Sequence, residues 1–159
     1  MTSAQQDTPV VASASRVAAL RGTCMGAAVL LIIQFGLGIG VNLYVTLPGH
    51  KSFFSQVFGS ATLAVHAIVA LLLLGAATAA LVRAIRARRA IAFTSVGLAA
   101  ILVAAIAGAS FVGNGTNGAS LGMALATAVA MFCYPAAIFN LRRSQPLPRC
   151  PAVAFMVDE

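Results

Sequence analysis

The sequence predicts an all-α integral membrane protein, a single up-down bundle of four helices. The first observation is compositional: 60% of residues are hydrophobic and only 8% are charged, against roughly a quarter charged in a soluble domain. The second is their arrangement in four uninterrupted apolar stretches, at about residues 23–45, 60–82, 90–112 and 119–141. A helix of about 23 residues rises roughly 35 Å, slightly more than a hydrocarbon core of about 30 Å. The third is that no stretch alternates with period two, as a membrane barrel strand of about 10 residues must.

Before the first span, residues 1–22 contain Arg16 and Arg21 but little that could pack, and they read as a disordered cytoplasmic N-terminus. The apolar run that follows is longer than a signal-peptide core and lacks a small-x-small cleavage pattern, so it is expected to remain in the protein. Gln34, Gly38 and Asn42 recur at i, i+4 and i+8, and Gly36 with Gly40 forms a GxxxG pair. These residues, Gln34, Gly36, Gly38 and Gly40 above all, read as a helix-packing seam in which small residues permit close approach and amides supply interhelical hydrogen bonds. Asn42 and Tyr44 then fall at the outer mouth of the bundle.

Pro48 follows the first span, and the loop at residues 47–59 carries His50, Lys51 and the pattern Phe53, Phe54, Val57, Phe58. That pattern suits a short amphipathic helix on the outer membrane surface. The second span bears His66 about five residues below its outer end. Residues 83–89 are so short a link that the second and third spans must form a tight antiparallel hairpin. Residues 113–118, Gly-Asn-Gly-Thr-Asn-Gly, form a turn. The fourth span holds Met123, Thr127, Met131 and Tyr134 at helical spacing, and Pro135, which is expected to kink it. Residues 142–159 form a cytoplasmic tail.

The formal charge of +7 is not spread evenly. Arg16 and Arg21 precede the first span, Arg83, Arg86, Arg88 and Arg89 join the second to the third, and Arg142, Arg143 and Arg149 follow the fourth. An even number of spans puts these clusters on one side, and positive flanks mark the cytoplasm. Both termini are therefore expected inside, with the arginines against anionic lipid headgroups rather than nucleic acid. Nine Arg against one Lys, with abundant Ala, Gly and Val, points to GC-rich coding and a bacterial inner membrane.

Absences narrow the chemistry. No Asp or Glu lies between Asp7 and Asp158, which argues against carboxylate proton relays, cation-driven transport, hydrolysis and carboxylate metal sites. Cys24, Cys133 and Cys150 have no zinc-ligand spacing, and their places on the inner side argue against a disulfide. No catalytic residue and no metal site are predicted.

His66 is the one side chain in the spans that could change charge near neutral pH, and an ionisable residue in lipid is a functional candidate by default. The plainer reading is a histidine hydrogen-bonded near the interface. Met123 lies equally deep in the fourth span, and the first and second hairpins look like weak parallel repeats with His66 and Met123 in matching places. A His and a thioether on two helices could ligate a b-type haem, with Asn42 and Tyr134 as neighbours. Alternatively, Met123 and Met131 simply fill the core.

The run Gln34-Phe-Gly-Leu-Gly at the end of a first span, an outer loop, and His66 near the start of a second resembles one half of haem A synthase. That resemblance implies a four-helix bundle with haem-ligating histidines near the outer face. It makes His66 an axial ligand and places the position of a second one at or near Met123. The chain also resembles small four-helix membrane proteins of GC-rich bacteria, which implies no activity. Two functions follow: a non-catalytic accessory or scaffold subunit of a membrane complex, or a haem- or quinone-binding protein centred on His66.

Overall fold

The computed structural model describes residues 8–44, 53–114 and 117–143. Among them the order is α1 Thr8–Tyr44, α2 Phe53–Gly59, α3 Ala61–Ala87, α4 Ile91–Asn114 and α5 Asn117–Arg143. Four of these helices, all but α2, are long and apolar enough to cross a bilayer, as a multi-pass membrane protein requires. They are apolar around their whole circumference. Leu43, Leu71, Ile106, Leu125 and Phe132, for example, are all exposed, which suits helices whose solvent is lipid rather than water.

Neighbours in sequence are neighbours in space. α1 packs on α3 and α5, α4 packs on the same two, and among the described residues the diagonal pairs α1 with α4 and α3 with α5 do not meet. The chain therefore closes a ring of four antiparallel helices. Its seam is written in a repeat of 3.5 residues. On α1 the buried positions are Leu20, Cys24, Ala27, Leu31, Gln34 and Val41, and on α3 they are Leu63, Leu73, Ala77, Ala80 and Ala84. Steps alternating three and four keep one face on a partner helix and imply left-handed crossing near +20°.

Helix α1 starts far earlier than the sequence reading allowed. Residues 8–22, which composition set outside the bundle as a disordered tail, continue the helix, and Leu20 is completely buried. The physical reason lies in the same repeat: Leu20, Cys24, Ala27 and Leu31 form one face, so the seam outruns the apolar window that marks the span.

The α3–α4 hairpin turns in residues 88–90. Arg88 takes a left-handed conformation (φ 52°, ψ 36°). Its N–H donates to the Ile85 carbonyl, and the Arg89 N–H to the Ala84 carbonyl, both at 3.1 Å. This satisfies the last carbonyls of α3 in the way a glycine cap usually does. Arg83 reaches across to α1, where its Nη1 donates to the Ala19 carbonyl at 3.1 Å and to the Thr23 hydroxyl. The start of α1 and the ends of α3 and α5 therefore share one end of the bundle with Arg16, Arg21, Arg83, Arg86, Arg88, Arg89, Arg142 and Arg143. Pro135 lies within α5, which continues as helix past it.

At the other end, the amphipathic segment expected in the first loop is α2. Val57 is its inward anchor and packs with Val41 and Leu63, while Phe54 and Phe58 are exposed. His50, Lys51, Arg149 and Cys150 lie outside the described residues, as do parts of the two tails.

Candidate functional site

His66 lies one turn beyond Leu63, which packs with α2, so it lies just under the cap that this helix makes. Its Nε2 is 3.1 Å from Gln34 Nε2 on α1. An amide nitrogen can only donate, so in this arrangement His66 Nε2 accepts and the neutral ring carries its proton on Nδ1. Gly38, one turn along α1 from Gln34, faces the same ring: a Cβ there would lie 3.4 Å from His66 Cε1, at the near edge of ordinary contact. Gln34 and Gly38 thus form the notch that receives the imidazole, as two members of the predicted seam.

The pair is only partly satisfied. His66 Nδ1 and Gln34 Oε1 are both buried without a hydrogen-bond partner among the described residues. An interhelical hydrogen bond in a membrane protein contributes about 0.6 kcal/mol on average and up to about 1.7, whereas each unmet buried group costs about 1–3 kcal/mol. Taken alone, the pair costs more than it contributes. That imbalance marks it as the place where another polar group would be welcome.

The other predicted neighbours go elsewhere. Asn42 is exposed, because the seam steps by 3.5 residues and brings Val41 rather than the i+8 position inward. Tyr44 is 85% exposed. Gly36 and Gly40 are not in the seam among the described residues either, since a Cβ on each would meet none of their atoms within 4 Å. Met123 has its sulfur 3.3 Å from where a Gly108 Cβ would be, on α4. His66 is turned to α1 and Met123 to α4, on helices that do not touch. As placed, the two do not form an axial pair for one haem.

Tyr134 is fully buried in the core shared with Leu20, Cys24 and Leu141. It lies against Gly97, where a Cβ would come within 2.9 Å of its Cε2. Gly97 and Gly108 are eleven residues apart on α4, so Tyr134 sits roughly 16 Å along the axis from the Met123 level. It is part of the other half of the bundle, and its hydroxyl has no hydrogen-bond partner among the described residues.

Sequence reasoning missed Gly97, Gly108 and Thr94. Thr94 is wholly buried, and its hydroxyl donates to the carbonyls of Ala90, in the turn before α4, and Ile91, the first residue of that helix. The two glycines carried a signal: isolated glycines within a helix cost about 1 kcal/mol each and so ask for a packing reason.

Comparison with known proteins finds no matching family model, no matching curated protein and no matching solved structure. The likeness to half of haem A synthase therefore gains no support from relatives.

Proposed function

We propose that this chain is a multi-pass protein of a bacterial inner membrane, with both ends cytoplasmic, and that it serves as a non-catalytic accessory or scaffold subunit of a membrane complex. The observation that carries this reading is the outward placement of Gly36 and Gly40. Packing within the bundle does not account for these glycines, while a GxxxG notch open to the outside lets a helix of another protein approach closely. The exposed Ile32, Ile33 and Ile39 around it supply contact area. Mild-detergent pull-downs should recover a stoichiometric partner, and Gly36→Leu with Gly40→Leu should lose that partner while leaving thermal stability unchanged. Recovery of the bare chain from several detergents would overturn the reading.

A second reading is favoured by the buried, unpartnered Nδ1 of His66. Carrying the ring proton, it can donate to an acceptor such as a quinone carbonyl. The haem version is less well supported, because His66 and Met123 face different helices. A reduced-minus-oxidised spectrum of protein from haem-replete cells is expected to be featureless. Soret and α bands that vanish in His66→Ala would establish haem binding instead.

A further inference from the structure

A second feature lies at the basic end, on the face between α1 and α5. There a cleft of about 360 Å³ opens between the helices. Its lining includes the apolar Met25, Ile138 and Leu141, together with Gly22 and the charged Arg21 and Arg142. We propose that this cleft seats an anionic phospholipid, with its phosphate between Arg21 and Arg142 and an acyl chain running down α1. The proposal rests on the membrane reading above and not on the scaffold role.

Three observations support it. No Asp or Glu occurs from residue 8 to residue 143, so among the described residues no carboxylate neutralises Arg21 or Arg142. Each guanidinium presents a fork of donors matched to phosphate oxygens. Arg83, by contrast, is committed to α1 through Ala19 and Thr23. Next, Gly22 sits within helix α1 and lines the cleft, yet a Cβ there would meet no atom of the described residues within 4 Å. Packing among the described helices does not require this glycine, and a larger side chain at this position would take up space in the cleft. Finally, the apolar wall does not stop at Met25. Val29 and Ile32 follow at i+4 and i+7, both exposed, and form a track along the bundle toward its middle. A soluble anion would use the arginines alone, whereas a lipid uses both the arginines and the track, and that commits the cleft to a headgroup.

Native mass spectrometry of the full chain in mild detergent, with phosphatidylglycerol or phosphatidylcholine added, tests this. The wild-type chain should retain phosphatidylglycerol in preference, by about thirty-fold for two arginine contacts. Arg21→Gln with Arg142→Gln should abolish the preference. Gly22→Leu, which keeps both charges and puts a bulky side chain on the cleft lining, should abolish it too. Arg16→Gln with Arg86→Gln removes two charges outside the cleft and should retain it. Equal loss in that control would mean diffuse surface attraction and overturn the site. So would displacement of the lipid by millimolar inorganic phosphate, which would assign the cleft to a soluble anion. A wild-type chain without preference that gains one on Asp158→Asn with Glu159→Gln would place the tail carboxylates in the cleft, again overturning it. Carbonate washing of membranes separates the premise: all variants should stay in the bilayer fraction, and release would overturn the membrane reading itself.

Discussion

In the half of the bundle nearest the arginines, Leu20, Cys24, Ala80, Ala84, Tyr134 and Leu141 meet in one core, where the Cys24 thiol and the unpartnered Tyr134 hydroxyl are the polar atoms of these side chains. In the opposite half the seam of α1 passes through Gln34 and Gly38, where a histidine inserts between helices and two buried polar atoms go unmet. The backbone geometry of the two halves is continuous; only the side chains change. The first half is organised around volume, with one large ring fitted to a glycine. The second is organised around hydrogen bonding, and its cost is tolerated. A residue in the first half is therefore expected to report on stability, and a residue in the second on function.

The largest expected effect lies in the volume-driven half. Tyr134→Ala removes a fully buried ring and should lower unfolding free energy by about 3–5 kcal/mol, measured by denaturant or thermal unfolding in detergent. Tyr134→Phe, which deletes only the unpartnered hydroxyl, should be neutral or mildly stabilising. A large loss in the Phe variant would show that the hydroxyl has a role and would blur the contrast between the halves. Next in size is Gly97→Ala. The added methyl would lie 2.9 Å from Tyr134 Cε2 and 3.3 Å from Cys133 Cβ, an overpacking that should cost about 1–3 kcal/mol. Combining Gly97→Ala with Tyr134→Leu should recover part of that loss.

A smaller effect is expected at the polar pair. A double-mutant cycle on Gln34→Ala and His66→Ala should return a coupling of about 0.6–1.7 kcal/mol. Zero coupling would remove the hydrogen bond as a link between α1 and α3. The smallest losses belong to Gly36→Ala and Gly40→Ala, expected to leave the isolated chain as stable as wild type or more stable by up to about 1 kcal/mol each, because the added methyl meets no atom of the described residues within 4 Å and a helical glycine is removed. A loss there would mean that these glycines pack within the bundle after all.

Much of the fold was legible because lipid imposes a length and a polarity on any crossing helix, and 8% charge leaves few other options. The start of α1 and the end of α3 were not, the two ends that lie more than two residues from those read in the sequence. The start of α1 was hidden because Arg16 and Arg21 break the hydropathy window while the buried face, beginning at Leu20, runs on between them. At the site, Gln34, Gly38 and His66 were readable from polarity in an apolar context. Asn42 was misplaced by reckoning in steps of four, where a packed seam steps alternately by three and four. Gly97 could not be tied to Tyr134 without knowing which helices are neighbours, which is a tertiary fact.

The three-residue turn at 88–90 has a bearing on topology. Three residues span at most about 10 Å, a third of the hydrocarbon thickness. The end of α3 and the start of α4 are thus tied to one face of the bundle, and Arg86, Arg88 and Arg89 are held together at that bend whichever way the hairpin is oriented.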